Sequence, residues 1–191
     1  PDLSAKLESA EPLAIRWLET RTSEELELYP QACAIAHQII RECFSRSVVT
    51  PGVTTCEDLR WRYWQRITDL GLTVSFPPFF RRFRSEDSRA RWGAEDQVIR
   101  PGDLLHCDVG IQYLRFLTDH QELAYVLREG EADAPLGLRD GLAQANRLQD
   151  IFTGEWRKGL TGNEILSRAL KRAREAGLSK PKIYSHSLSH Y

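Results

Sequence analysis

The 191-residue sequence lacks any apolar run approaching the roughly 18 residues that a membrane-spanning helix requires. It also lacks a basic stripe, because its 26 Lys and Arg residues are mixed along the chain with 27 Asp and Glu residues. We therefore expect neither a membrane partner nor a nucleic-acid partner. The hydrophobic fraction of 41% is enough to bury a core, and the length suits one ordinary domain or part of a larger one.

Cysteine is also scarce. The four cysteines, at positions 33, 43, 56 and 107, form no CxxC pair and no zinc-finger spacing. Cys33 and Cys43 lie on one predicted helix about 15 Å apart, which is too far for a disulfide bond. We interpret the cysteines as buried free thiols, which favour a reducing compartment, so a cytoplasmic location is slightly favoured.

Hydrophobic periodicity predicts alternating helices and strands. A long amphipathic helix is predicted over residues 23–44, with Pro30 kinking or splitting it. Strands are predicted over residues 72–76, 104–110 and 116–127, and a strand-like segment over 182–185. Residues 79–96, which are rich in Arg and polar side chains, are predicted to form an exposed loop.

Two segments of the chain resemble each other at an offset of 107 residues. In both, a Gly-x-Thr-x-x-Glu turn forms a predicted capping box, and the helix that follows ends at a glycine, Gly71 or Gly177. The matching positions are Gly52, Thr54, Glu57 and Leu59 against Gly159, Thr161, Glu164 and Leu166. We predict an internal two-fold repeat of helix-helix-strand units and an α+β fold, with helices packed on the outside of an antiparallel sheet.

Two aspartates in the central strands are candidates for chemistry. If residues 104–119 form a hairpin that turns near Tyr113 and Leu114, Asp108 lies opposite Asp119. Like charges about 5 Å apart destabilise a strand pair unless a counter-charge or a shared proton is present. A divalent cation would satisfy both carboxylates. The alternative is that one Asp caps the turn and faces solvent.

Histidines supply the second candidate cluster. His186 and His190 lie four residues apart, and a neutral imidazole is a common ligand of zinc, manganese and cobalt ions. The same spacing also suits an exposed pair on one helix face. His106 shares a predicted strand face with Asp108 and is either a further ligand or, as we favour, a core histidine.

These motifs, in this order, resemble the creatinase, aminopeptidase P and methionine aminopeptidase superfamily. The resemblance rests on Asp-x-Gly-x-x-Tyr at 108–113, a second Asp eleven residues after the first, and the later His-x-x-x-His. It covers the chain from about Ala32 onwards and is strongest to the Xaa-Pro aminopeptidase branch. It implies a truncated pita-bread fold: residues 23–191 would form an incomplete catalytic domain, and residues 1–22 a linker or the tail of a preceding domain.

The resemblance also implies an activity and a site. Two divalent ions (Mn, Co or Zn) would be bound by Asp108, Asp119 and His190, with Asp119 bridging them, and His186 would contact the substrate or stabilise the oxyanion. The implied reaction removes an N-terminal residue from a peptide, and a homodimer is compatible with it. Because the family's two Glu ligands follow the histidine motif, we expect the polypeptide to continue beyond Tyr191.

Two departures from the family pattern keep other functions open. The run Asp-x-Thr-Arg-Thr is replaced by Asp-His-Gln-Glu-Leu at 119–123, and no histidine lies between His37 and His106, where a substrate-contacting one is usual. The alternatives are a catalytically inactive pita-bread domain that binds peptides or proteins, and a creatinase-like hydrolase of C–N bonds.

Overall fold

The computed structural model of the chain describes residues 7–186 and residue 188. The helices are α1 (Glu11–Glu19), α2 (Ser23–Cys43), α3 (Cys56–Asp69), α4 (Glu86–Trp92), α5 (Leu136–Gly154) and α6 (Gly162–Glu175). The strands are β1 (Thr73–Val74), β2 (Phe79–Phe83), β3 (Leu104–Val109), β4 (Ile111–Tyr113), β5 (Phe116–Leu117) and β6 (His120–Tyr125). None of the helices described is long and apolar enough to cross a bilayer.

The chain divides into two compact units: residues 131–186 form the second, and the other described residues, 7–130 and 188, belong to the first. Helices α1 to α4 and the six strands belong to the first unit, and α5 and α6 belong to the second. All strand pairs are antiparallel, in the orders β1-β4-β5 and β2-β3-β6. This combination of helices and antiparallel strands confirms the predicted α+β class.

Helix α2 supplies one wall of the core in the first unit. Its N-terminus is capped by Thr22, whose hydroxyl accepts from the Glu25 backbone N–H while the Glu25 carboxylate accepts from the Thr22 N–H. The helix continues through Pro30, so of the two predicted alternatives the split is wrong and the kink stays a prediction. Its buried side recurs at helical spacing, at Ala32, Ala36, Ile39, Ile40 and Cys43.

Strand β3 separates the core from the opposite face of the sheet. Its burial alternates, with Leu105, Cys107 and Val109 buried against α2 and α3 and the intervening residues less buried. The period of two therefore places His106 and Asp108 on the face away from the core.

The prediction of an exposed loop over residues 79–96 is wrong. Its first part is β2, which pairs with β3, and its second part contains α4, capped by Ser85. Strand β2 has a pattern typical of a half-buried strand, because Phe80 is buried while its neighbours Phe79 and Arg81 are exposed.

The predicted repeat is visible in the helices, but the first capping box begins one residue later than predicted. Helices α3 and α6 both have 14 residues and both begin with a capping box, at Thr55 and Thr161. The first cap is therefore Thr55 with Asp58 and not Thr54 with Glu57. The hydroxyl of Thr54 is engaged elsewhere, since it accepts from the Thr50 backbone N–H and donates to the Val48 carbonyl. Both helices are followed by glycines in the left-handed region, with φ of 67° at position 71 and 80° at position 177.

The strand-like segment predicted over residues 182–185 is not a strand in the structure. Its counterpart in the first unit, β1, is a strand because it pairs with β4. Residues 182–185 form no such pairing within the described part of the chain, and an extended segment without a partner has no ladder of hydrogen bonds.

The four thiols are free, as predicted. Cys43 and Cys107 are buried in the core, where burial raises the pKa of each to about 12. Cys33 and Cys56 are only partly buried, so the prediction of complete burial is wrong for these two.

Candidate metal centre

The central hairpin turns at Leu114 and Arg115, which both have positive φ, 49° and 69°. This two-residue turn lies one residue later than predicted, and it sets a register in which Asp108 pairs with Gln121 and Val109 with His120. Asp119, just before β6, is therefore diagonal to Asp108 and not directly opposite it. The two aspartates share one face because residues two apart on a strand point the same way.

The carboxyl groups of Asp108 and Asp119 are in contact. Burial raises the pKa of Asp108, and the charge of Asp119 and a hydrogen bond between the two carboxyl groups raise it further. Such a pair requires a shared proton or a cation to neutralise it. Carboxylate oxygens are hard ligands that suit divalent ions, so the pair fits two ligands of a metal centre.

Gln121, which the sequence analysis missed, orients this pair. Its amide nitrogen donates to Oδ2 of Asp108 at 3.1 Å, and its Oε1 lies 3.2 Å from Nε2 of His106. The predicted placement of His106 on the Asp108 face is confirmed, whereas its placement in the core is wrong: it is only partly buried, beside a polar amide. The signal for Gln121 was present, because it lies two residues after Asp119.

Gly110 allows the two strands to approach closely beside the aspartates. A Cβ at this position would lie 1.9 Å from the backbone oxygen of Thr118. Thr118 also stabilises this close approach of the two strands, because its hydroxyl accepts a hydrogen bond from the Ile111 backbone N–H at 3.0 Å. We expect Gly110→Ala to lower the free energy of unfolding by about 3 kcal/mol, measured by urea denaturation.

Gly137→Ala is the matched control for that substitution. Gly137 lies in α5, and no atom comes within 4 Å of a Cβ built there. Alanine at this position in the first turn should change the free energy of unfolding by less than about 1 kcal/mol. Equal effects of the two substitutions would contradict the close approach at Gly110.

A second titratable cluster lies on the helix side of β6. Nδ1 of His37 on α2 is 3.2 Å from Oε1 of Glu122, and the rings of His37 and His120 meet edge to face with centroids 4.5 Å apart. Burial lowers the pKa of His120, and the neighbouring His37 lowers it further. The neutral imidazole of His120 therefore packs between α2 and β6, directly after Asp119.

Of the two histidines predicted to belong to the site, the structure describes only His186. His186 is exposed and belongs to the second unit, where its ring centroid is 5.8 Å from that of Tyr184. His190 lies outside the described residues. Within the described residues, no three His, Cys, Asp or Glu side chains form a group that could hold a metal ion. The structure thus brings Asp108 and Asp119 together, and the contribution of His186 and His190 stays a prediction.

Comparisons with known proteins agree with the fold. The profile of metallopeptidase family M24 matches residues 27–191. Curated protein sequences gave no match. Similar solved structures include an X-Pro aminopeptidase from Thermotoga maritima, with 17% identity, a TM-score of 0.64 and coverage of 87% of this chain and 45% of that one.

Two further structures are similar to the same degree. The prolidase from Pyrococcus furiosus has 19% identity and a TM-score of 0.64, over 92% of this chain and 50% of that one. Aminopeptidase P from Escherichia coli has 17% identity and a TM-score of 0.64, over 94% of this chain and 39% of that one. The chain therefore spans half or less of the length of these structures, and it has the fold of the corresponding part.

Proposed function

The chain belongs to metallopeptidase family M24, and from this premise we propose that it is a metal-dependent hydrolase that removes the N-terminal residue from peptides, as an Xaa-Pro aminopeptidase does. The observation that carries the proposal is the contact between the carboxyl groups of Asp108 and Asp119 on the face of the sheet opposite the core. A structural protein gains nothing from two like charges in contact, whereas a metallohydrolase needs them.

Each residue has a specific role in this proposal. Asp108 and Asp119 would hold two divalent ions of Mn, Co or Zn through their carboxylates, and His190 would contribute an imidazole ligand. The bound ions would lower the pKa of a water molecule and polarise the scissile carbonyl. Gln121 holds Oδ2 of Asp108 in place. His186 contacts the substrate and stabilises the negative charge that develops on its carbonyl oxygen.

One resemblance supports zinc among the proposed ions. Among the similar structures is a zinc-substituted aminopeptidase P from Escherichia coli in complex with product. The homodimer, the cytoplasmic location and the domain boundary at residue 22 stay predictions from the sequence.

The activity can be tested with short peptides, Xaa-Pro sequences included, in buffers with Mn²⁺, Co²⁺ or Zn²⁺. We expect metal-dependent release of the first residue, and a decrease in kcat of about 10²- to 10³-fold for His186→Ala, the cost of one oxyanion donor. His37→Ala is the control, because His37 lies on the helix side of the sheet. Absence of turnover across the peptide library in the metal-loaded protein would contradict the proposal.

A second candidate function is peptide binding without catalysis. It is favoured by one observation: the amide of Gln121 donates a hydrogen bond to Oδ2 of Asp108 and so competes with a metal ion for that oxygen. In that case Gln121→Thr, which restores a residue of the family's motif, should raise metal-dependent turnover. Peptide binding without turnover in the wild-type protein, together with metal-dependent turnover in Gln121→Thr, would support the binding function.

A further inference from the structure

A chain of two hydrogen bonds connects His106 to Asp108 through the side chain of Gln121. The amide nitrogen of Gln121 donates to Oδ2 of Asp108 at 3.1 Å, and its Oε1 lies 3.2 Å from Nε2 of His106. The strand register explains this arrangement, because Gln121 pairs directly with Asp108 and is diagonal to His106. His106 is therefore connected to a candidate metal ligand through an intervening side chain.

The chemistry of the three groups determines the direction of both bonds. An ionised carboxylate only accepts, so the NH2 group of Gln121 faces Asp108 and its carbonyl oxygen faces His106. That oxygen also only accepts, so the proton of the neutral imidazole lies on Nε2. The other ring nitrogen agrees with this assignment, because Nδ1 is buried and has no hydrogen-bond partner within the described residues. A proton on Nδ1 would be a buried donor without an acceptor, which is costly.

His106 also limits the conformations of Gln121. Gln121 is exposed, and a free glutamine side chain populates several rotamers. Bonds at both ends of the amide select the rotamer that points the NH2 group at Asp108. The imidazole ring can serve as the fixed end because Phe83, on the neighbouring strand β2, holds it: the two rings meet edge to face with centroids 6.3 Å apart.

Residues that hydrogen-bond to a metal ligand orient it for the ion. Such a bond engages one lone pair of a carboxylate and leaves the others for the ion, and loss of the partner typically weakens metal binding about 10- to 100-fold. We infer that His106 is a positioning residue for Asp108: acting through Gln121, it orients the carboxylate and strengthens the binding of a divalent ion at the candidate metal centre. This inference rests on the proposed metal-dependent function and adds His106 to it.

The inference can be tested through the affinity for Mn²⁺, measured by calorimetry on the protein after EDTA treatment and dialysis. His106→Leu removes the donor and keeps a side chain of similar size, and it should raise the Mn²⁺ dissociation constant about 10-fold. Gln121→Leu should raise it by a similar factor. His106→Gln should restore most of the affinity, because its amide N–H can replace Nε2 as the donor.

The double variant His106→Leu with Gln121→Leu separates positioning from direct ligation. If His106 acts through Gln121, the double variant should bind Mn²⁺ within about 2-fold of Gln121→Leu alone, because His106 has nothing left to position. A second loss of about 10-fold would show that His106 acts independently of Gln121, as a metal ligand does, and would overturn the inference. The control is Gln65→Leu on α3, which removes a similar bond from a Gln amide to the carboxylate of Asp69 and should bind Mn²⁺ as wild type does.

Because Gln121 is exposed, Gln121→Leu is expected to fold, so the test does not depend on the stability of His106→Leu. Unchanged or tighter Mn²⁺ binding in Gln121→Leu would overturn the inference, and tighter binding would show that the amide competes with the ion. Absence of Mn²⁺ binding in the wild-type protein would contradict both the inference and the proposed function. Coupled losses of affinity in a protein that hydrolyses no peptide would contradict only the hydrolase function. Peptide turnover with an unchanged dissociation constant in Gln121→Leu would contradict only the positioning role.

Discussion

Replacing Arg84 by methionine is expected to lower the free energy of unfolding by about 3–5 kcal/mol. The side chains of Arg84 and Asp103 have no exposed surface, and two parallel hydrogen bonds of 2.7 Å join the guanidinium nitrogens to the carboxylate oxygens. The remaining guanidinium nitrogen, Nη1, donates to Asp96, and Nη2 also donates to the Val98 carbonyl. Methionine would leave the Asp103 carboxylate buried without its cation, which costs far more than the pair contributes to stability.

Two further variants isolate the cause in urea denaturation experiments. Arg139→Met removes an exposed ion pair with Asp133, in which the side chains are 52% and 66% exposed, and should change stability by less than about 1 kcal/mol. The double variant Arg84→Met with Asp103→Leu removes both buried charges and should be more stable than Arg84→Met alone. A double variant that is less stable than Arg84→Met would show that the loss comes from packing and not from the uncompensated charge.

The network around Arg84 shows what the sequence could not reveal. Arg84 and Asp103 are 19 residues apart, and neither belongs to a periodic pattern. Their contact depends on β2 pairing with β3, and β2 itself was missed because its arginines suggested a loop. A pair that forms only after two strands dock leaves no local signal in the sequence.

Local features were easier to predict. The aspartate pair could be found because both residues belong to one hairpin, where a short turn determines which residues meet. The turn was misplaced by one residue, since the positive φ values of Leu114 and Arg115 are rare for such side chains and no glycine marks the turn. Because of this one-residue difference, Asp119 is diagonal to Asp108 and not directly opposite it as predicted, but both aspartates still lie on one face.

The capping boxes also show that a local feature can be predicted in kind but misplaced by one residue. Thr161 and Glu164 were predicted correctly, whereas the earlier cap proved to be Thr55 and not Thr54. Two adjacent threonines are equally good caps by residue type. Tertiary contacts decide between them, because Thr54 is buried and its hydroxyl bonds to residues 48 and 50.

The second large effect is expected for Asp108→Asn at the candidate metal centre. This variant should be more stable than the wild-type protein without metal and less stable than it with metal. Because the pKa of Asp108 is raised in the folded protein, the fold binds this proton more tightly than the unfolded chain does. Stability is then lost as pH rises from the unfolded pKa, about 3.9, through the folded pKa. At pH 7 without metal the Asp108 charge destabilises the fold, so we expect Asp108→Asn to raise the unfolding midpoint.

In the presence of a divalent metal ion, we expect the wild-type protein to be more stable than Asp108→Asn. At a concentration 100 times the dissociation constant, a bound divalent ion would stabilise the wild-type protein by about 2.7 kcal/mol, and Asp108→Asn should gain almost none of this. Unfolding curves with EDTA and with Mn²⁺, and metal content after dialysis, would measure both changes. Asp150→Asn, on the exposed side of α5, is the control and should behave as wild type in both conditions. Equal metal content in wild type and Asp108→Asn would exclude Asp108 as a ligand, because a carboxamide cannot replace the charge that holds the ion.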